Sequence, residues 1–554
     1  MQLNQAIIAD LMRRMEQGRF RDVIAEAERL IAQFPRVAGL HEIRGMAHAR
    51  AGDAEPAEKA FRRALKLMPN LASARFNLGI LLVNQQKWRQ AAECLQHLLK
   101  LQPDNIGARY QLGIALFRQQ RMDSAKACFE RVVAEAPQTV DAHFHLGLIA
   151  RQNDDPATAL GHFGDVLSHK RDHFEALFNM GNIHRDLFHP DKAQACFEEA
   201  LAVRPKHVNT MINLANVEMG RHDMPAAIAW LDKALETEPD NTNAAFSKSL
   251  PHFMMGDLER GFAAAELRFE KSDPVMRLYS GDEAAWDGRR LGGDDLLVIH
   301  AEQGLGDTIM MIRFLALVDL PRNQVVVLVP SKLLELLAGS FSGWSFQPLE
   351  KHRSGWPGAT ARCSLMSLPH VLKAQWRVPP SAEGYLAAPV HAVETWKQVF
   401  PDATPPRVGL VWRGSDDHKE NHLRSIGIAD LLSALVPGPD YISLQWDLTK
   451  AEERAFASRS DLEIRIERPG DFADTAGAVM HLDHLVCVDT SIAHLGGALG
   501  IQTSIFLHYL PDWRWGLGTD SSNWYESVSL FRQAGPGDWD GPLRAIGDRM
   551  KALL

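Results

Sequence analysis

Six prolines fall on one 34-residue lattice, at Pro35, Pro69, Pro103, Pro137, Pro205 and Pro239, with Arg171 at the missing node. A second lattice of the same period holds Gly45, Gly79, Gly113, Gly147 and Gly181 and is continued by Ala215. A third runs through Ala57, Ala91, Ala125, Ala159, Ala193 and Ala227, and a fourth through Phe61, Leu95, Phe129, Phe163, Phe197 and Leu231. Registers that share one period along so much chain define a supersecondary unit copied in tandem. Each unit reads as two helices, with small residues where they cross, an apolar anchor on the second, and a proline that cannot continue it. Such units bury their apolar faces only by stacking, so residues 1–275 are expected to form a solenoid. From Asn241 to Glu270 the lattice decays, with Ser249 and Gly261 where glycine and alanine belong, and a capping unit is expected there.

The pattern resembles the tetratricopeptide repeat, which implies a superhelix with a concave groove. Two residues before each lattice glycine, and before Ala215, stand Asn77, Gln111, His145, Asn179 and Asn213. In tetratricopeptide arrays this position faces the concave side, and amides that both donate and accept suit an extended peptide backbone. In this respect the array is similar to that of eukaryotic protein O-linked N-acetylglucosamine transferase. A ladder of peptide-holding residues and a mere repeat preference for asparagine are both compatible with the pattern.

The chain has 554 residues, too many for one core. A net charge of -9 argues against nucleic-acid binding through a general basic surface. No apolar run approaches the ~18 residues of a spanning helix, and the N-terminal stretch carries early acid, so a cytoplasmic chain without membrane insertion is expected. Cys94, Cys128 and Cys196 share one repeat slot, which explains them without disulfide or metal. The 23 histidines, His418 and His422 included, complete no ligand pattern, so no metal is expected.

Beyond the repeats, a connector at 276–292, packed by Trp286, leads to a region of different period. Strands are expected at Leu296 to Ile299, Val325 to Val329 and Trp344 to Phe346, with helices from Ile309 to Leu317 and Ser331 to Ala338. After a pause around Pro379-Pro380 and Pro401 to Pro406, strands are expected at Val408 to Trp412, Tyr441 to Leu444, Glu463 to Ile466, Leu485 to Val488 and Thr503 to Leu507. Alternating strands and helices predict two parallel α/β halves, 293–390 and 391–554, joined by a helix at Glu394 to Phe400 and meeting at a cleft.

Three stretches carry the chemistry. In LLVIHAEQGLGDTIMMI, a strand turns through Gln303, Gly304 and Gly306 into a helix with Asp307 at its start, where a carboxylate serves as cap or as catalyst. In VGLVWRGSDDHKENHLRSIG, a strand leads to Arg413, Lys419 and Arg424 and to a helix beginning at Ser425 or soon after, a setting for phosphate or a merely solvated loop. In LVCVDTSIAHLGGALG, Asp489, Thr490 and Ser491 open a small-residue helix carrying His494.

Together these stretches resemble the motifs of bacterial lipopolysaccharide heptosyltransferases. With the repeats and Pro511-Asp512-Trp513-Arg514-Trp515, the arrangement resembles bacterial tetratricopeptide-repeat glycosyltransferases, some of which modify flagellin. The resemblance implies a GT-B fold of two Rossmann-like halves, with acceptor at the first and nucleotide-sugar donor at the second. It implies metal-independent inverting transfer to a polypeptide held by the repeats, without a cofactor. Asp307 would be the base. Arg413, Lys419, Arg424, Asp489, Thr490, Ser491 and His494 would hold the donor, and Gln303, Gly304 and Gly306 would form the acceptor loop. The alternatives are an inactive repeat adaptor and a transferase for lipopolysaccharide or polysaccharide acceptors. Ser340 to Pro369 carries no recognisable motif, which leaves the acceptor open.

Overall fold

The computed structural model describes residues 5–270, 278–374, 384–400, 405–415, 421–445 and 447–554. Lys419, His418, Pro379-Pro380 and part of the Pro401 to Pro406 stretch lie outside them. The chain divides into two compact units, Met1–His207 and Val208–Leu554.

The first unit is built of helix pairs, beginning with Gln5–Glu16 and Phe20–Gln33 and ending with Phe174–Asp186 and Pro190–Val203. First helices start at Ala38, Ala72, Ile106, Val140 and Phe174, each 34 residues after the last, as the lattices require. The glycine lattice has a steric cause. A Cβ on Gly113, Gly147 or Gly181 would lie 2.6, 2.6 or 2.5 Å from the ring of Phe129, Phe163 or Phe197. Each ring therefore seats in a groove that only a missing side chain provides, and all three are fully buried. Where the anchor is Leu231, alanine is present as Ala215.

One further lattice has no counterpart in residue type. The turn between paired helices passes through a left-handed residue at Gly18, Gly52, Gln86, Gln120, Asp154, Phe188, His222 and Gly256, all at φ between 55° and 86°. These residues lie 34 apart, but only Gly18, Gly52 and Gly256 are glycine.

The second unit opens with two more helix pairs. Val208–Gly220 packs with Met224–Thr237, and the broken helix Thr242–Ser247 and Ser249–Met254 packs with Leu258–Ala265. The expected capping unit is present with its packing inverted. A Cβ on Gly261, on the second helix, would meet the ring of Phe253, on the first, at 2.3 Å. Knob and hole have exchanged helices, which accounts for glycine at a lattice alanine.

Two parallel sheets follow. Strands β1 (Ala284–Ala285), β2 (Leu297–His300), β3 (Val325–Val329), β4 (Ser345–Pro348) and β5 (Ala361–Ser364) are ordered β1-β5-β2-β3-β4. Strands β6 (Arg407–Val411), β7 (Asp440–Ser443), β8 (Glu463–Ile466), β9 (His484–Val488), β10 (Thr503–Leu507) and β11 (Val528–Arg532) are ordered β11-β10-β9-β6-β7-β8. Both are doubly wound, with the strand order reversing between β2 and β5 in one sheet and between β6 and β9 in the other. One apolar core runs from Phe253 through both sheets to Leu530, and a second, around Val408, Trp412, Phe506 and Met550, packs the second sheet against its outer helices.

Two expectations need correction. The connector is part of the first sheet, because β1 pairs with β5 and the Trp286 amide donates to Arg362. The compact-unit boundary falls at His207/Val208 rather than near 275, because the last helix pairs pack against the C-terminal region. Phe253 stacks on Trp513 at 4.2 Å, and His222 stacks on Tyr509 at 4.4 Å while donating to its carbonyl. The helix after β6 is Ile428–Ala434, soon after Ser425 as expected, and it is preceded by the single turn Asn421–Arg424.

The glycine–phenylalanine fit makes a measurable claim. Gly147→Ala should destabilise the first unit by ~1–3 kcal/mol of overpacking, offset in part by the ~1 kcal/mol helix preference for alanine. Adding Phe163→Leu, which recreates the natural Ala215 and Leu231 pair, should be less damaging than the sum of the two single changes. Urea midpoints of the four proteins measure this coupling, and strictly additive losses would show that the ring does not occupy the glycine groove.

Candidate functional site

The carboxyl ends of β2, β6, β9 and β10 converge on a cavity of about 550 Å³, lined from Gln303 to Asp307, by Ser415, Arg424, Asp489, Thr490, Ser491 and His494, and by Asp512 and Arg514. It lies where two doubly wound sheets present their strand ends, the place at which open α/β sheets bind ligands. Most of the residues expected to act together are therefore assembled.

Asp307 is both a cap and a cavity residue. It stands in the first turn of the helix Leu305–Met311, and its Oδ2 accepts from the Gly304 amide at 2.9 Å. Its Oδ1 accepts from Arg514, a residue that sequence reasoning did not place in the site. Arg514 also donates to Asp512 at 2.6 Å and to Gln303 at 3.3 Å, and its guanidinium lies 4.6 Å over the Trp513 ring. Burial lowers its pKa to about 10, which still leaves it a cation at neutral pH. Its Nε is buried without a hydrogen-bond partner. The only sequence signal for this residue was the dense Pro511-Asp512-Trp513-Arg514-Trp515 run.

Gly306 has a packing role as well as a place in the cavity wall. A Cβ on Gly306 would lie 2.7 Å from His494 Cδ2 and 3.4 Å from the Ser491 backbone. Gly306 therefore lets the helix Leu305–Met311 close on Ser491–Leu499. Gly304 is the helix cap, with an extended backbone.

His494 lines the cavity but does not act as a cation. Burial, reinforced by Arg313, lowers its pKa to about 3. Its Nδ1 shares a 2.9 Å hydrogen bond with the Tyr525 hydroxyl, and its ring stacks on Trp515. A neutral imidazole contacts a donor by hydrogen bonding or packing, without charge. Thr490 caps the helix Ser491–Leu499 with its backbone, and its Oγ1 is buried without a partner.

Arg413 belongs elsewhere. It lines a second cavity with Trp412, Asn421, His422 and Thr449, and is paired with Glu452 at 3.1 Å and Asp447 at 3.0 Å. Two carboxylates neutralise it, so it is removed from the expected cation set. Arg424 remains in the main cavity, and its Nε is buried without a hydrogen-bond partner among the described residues.

The β2/β5 crevice of the first sheet is filled by the chain itself. Arg268 donates to both oxygens of Glu302, at 2.6 and 2.8 Å, and to Ser367 at 2.7 Å, while Ser364 at the end of β5 donates to the same carboxylate. Burial opposes the Arg268 charge, but Glu302 outweighs it and the guanidinium pKa ends above its usual value.

In the repeats, Asn77 and Gln111 are half-buried and carry no side-chain hydrogen bond among the described residues. His145 bonds the Asp141 carbonyl and stacks on Phe129. Asn179 accepts from Arg151 at 2.6 Å and donates to Glu175 at 2.7 Å. Asn213 belongs to the second unit. The uniform five-rung ladder is thus reduced, because two of its rungs are satisfied internally. All five cysteines are free thiols.

Residues 12–72, 78–150 and 174–207 match models of the tetratricopeptide repeat, so the N-terminal region is built of this repeat. Arrays of the kind typically hold protein partners on their concave surfaces. A curated relative, Protein FlbA of Caulobacter vibrioides, is 24% identical over 332 residues, covering 55% of this chain and 54% of that protein. The chain therefore spans about half the length of the curated relative it matches. Among solved structures, the chain is similar to YrrB, a TPR protein with an unusual peptide-binding site (23% identity, 35% of this chain and 100% of that one, TM-score 0.32). It is also similar to the C-terminal part of a TPR repeat-containing protein from Cytophaga hutchinsonii (14% identity, 43% and 98%, TM-score 0.38). Among the described residues, no helix is long and apolar enough to cross a membrane.

The buried histidines give the second unit a pH dependence. His300 and His484, like His494, are buried, which lowers their pKa values to about 4. In the unfolded chain all three take up protons below about pH 6.5. The unfolded state then binds more protons than the folded one, so stability falls as pH drops from about 6.5 towards 4, by up to ~1.4 kcal/mol per pH unit and histidine. His494→Gln should make urea midpoints measured between about pH 7 and about pH 5 fall less steeply than those of the parent. Parallel slopes in the two proteins would mean that His494 is protonated in the fold.

Proposed function

We propose that this chain is a glycosyltransferase that moves a sugar from a nucleotide-sugar donor to a polypeptide held by the repeats. The observation that carries the reading is the Asp307–Arg514 pair, set in a cavity at the facing strand ends of two doubly wound sheets. A carboxylate for the acceptor hydroxyl and a buried guanidinium for a leaving phosphate lie side by side there, with the half-buried Arg424 on the same cavity. Two such halves around a cleft also agree with the GT-B arrangement that the sequence motifs imply.

In the proposed reaction, the acceptor hydroxyl oxygen attacks the anomeric carbon from the face opposite the phosphate, and the glycosidic carbon–oxygen bond breaks. The bonding electrons leave on the phosphate oxygen, and Asp307 takes the hydroxyl proton. Asp307 is tied to Arg514. An incoming diphosphate competes for that guanidinium, so donor binding would draw Arg514 towards the phosphate and release the carboxylate as a base. Arg424 and the start of the helix Ser491–Leu499 would stabilise the same departing charge. Fixed cations of this kind supply what a catalytic metal otherwise would.

A second reading, a repeat adaptor with a silent cleft, is favoured by the same ion pair if nothing displaces it. Asp307→Asn and Arg514→Met separate the two. For an enzyme, Asp307→Asn should lower transfer by roughly 10² to 10⁴ with donor affinity kept. Arg514→Met should weaken donor binding in calorimetry as well. Near-normal turnover of Asp307→Asn would leave that residue a helix cap, and the absence of donor binding in the parent would favour the adaptor.

Capture by the repeats is a separate expectation. Each amide contact to a peptide backbone contributes about 0.5 to 1.5 kcal/mol, so single changes should be mild. Combined alanine changes at Asn77 and Gln111, the rungs that carry no side-chain hydrogen bond among the described residues, should reduce modification of an intact protein acceptor while leaving donor affinity unchanged. Equal modification by parent and variant would assign the repeats to assembly instead.

A further inference from the structure

No spacing rule in the sequence joins His143 to His162 and Asp165, because the first lies on one helix of a repeat, Val140–Gln152, and the others on its partner, Pro156–His169. Folding brings them together. His143 Nδ1 stands 3.4 Å from His162 Nδ1 and 3.2 Å from Asp165 Oδ2, and His162 Nδ1 stands 3.8 Å from that same oxygen. Three donor atoms around a tetrahedral ion at bond lengths near 2.0–2.1 Å are separated by ~3.3 to 3.4 Å. The triangle already has about that size.

The tautomer also fits. His143 Nε2 lies 2.8 Å from the Pro137 carbonyl, which can only accept, so the ring proton sits there and Nδ1 presents a lone pair to the other two groups. A metal-bound histidine is usually held in this way, with its far nitrogen donating to a carbonyl or carboxylate. The anchoring function itself does not require histidine, since Arg75 and Arg109 at the same repeat position reach the Pro69 and Pro103 carbonyls. What histidine adds is a second nitrogen.

Comparison within the chain singles out this repeat. The three positions read Arg75, Cys94 and His97 two repeats earlier, Arg109, Cys128 and Arg131 one repeat earlier, and Leu177, Cys196 and Glu199 one repeat later. Only the repeat spanning 140–169 places a ligand type at all three. Asp165 is half exposed, which leaves room for water as a fourth ligand.

We infer that His143, His162 and Asp165 form a divalent transition-metal site, with two nitrogens and one oxygen suited to zinc, that clamps the two helices of one repeat together. The set is too nitrogen-rich for magnesium or calcium, which prefer oxygen.

Titration of Zn²⁺ into the full chain, followed by calorimetry and by thermal unfolding, tests the assignment. The parent should bind one equivalent that His162→Ala and Asp165→Asn each weaken on the order of tenfold or more, since even outer-shell changes cost 10–100-fold. Alanine is tolerated at this repeat position, where Ala60 stands three units earlier. Zn²⁺ should raise the melting temperature of the parent and not that of the variants. Co²⁺ in place of Zn²⁺ should give the parent a tetrahedral visible absorption band that both variants lack. Should His162→Ala lose its helical circular dichroism, Asp165→Asn decides alone. Identical titrations of the parent and a folded variant would overturn the site and leave a hydrogen-bonded histidine pair.

Discussion

The buried contact between Arg268 and Glu302 holds the second unit in its present form. Breaking a buried pair by removing one partner costs about 3–5 kcal/mol, because the remaining charge has no solvent. Here the pair also fixes topology. Arg268 ends the helical tail, Glu302 follows β2, and Ser364 ends β5, so a single guanidinium joins the last repeat to the point where strand order reverses. It occupies the crevice of the first sheet, whereas the cavity around Asp307 and Arg514 is open.

That cavity depends in turn on contacts made at a distance from it. Arg514 is carried by a loop whose Trp513 stacks on Phe253 and whose neighbour Tyr509 is held by His222. On the opposite wall, Gly306 lets the helix of Asp307 close on that of His494. The guanidinium that faces the carboxylate is therefore positioned by repeat helices, while the carboxylate is positioned by the first sheet. The charge state of His494 follows from the same closure, since dry packing against Trp515 and Tyr525 removes the water an imidazolium needs.

Much of this architecture was legible in the sequence because burial on both faces leaves a plain trace. The strands Val325–Val329, Glu463–Ile466 and Thr503–Leu507 were read to the residue. Others were not: β1 is two residues long, and β5 reads Ala-Arg-Cys-Ser because its polar residues serve the Arg362 and Glu302 contacts. The motifs around Asp307, Asp489 and His494 were found by their turns. Arg514 was not assigned to the site, since nothing local marks a partner 207 residues away. Arg413 was misplaced because a cation in a loop does not reveal the carboxylates that neutralise it. The left-handed turn lattice was invisible for a different reason, since Gln86, Asp154 and Phe188 share a backbone angle but no side-chain chemistry.

The stacking of Trp513 on Phe253 makes the seam between the two kinds of architecture a poor place to cut or to recombine. A chain divided where the periodicity ends, near residue 275, would leave behind the surface on which the Arg514 loop rests, along with the arginine that fills the first sheet. The shortest inheritable piece that carries an intact cleft begins instead at Val208, inside the repeats. Exchange of repeat arrays between chains of this design is then free only upstream of that residue, and the last two helix pairs must descend together with the sheets they support.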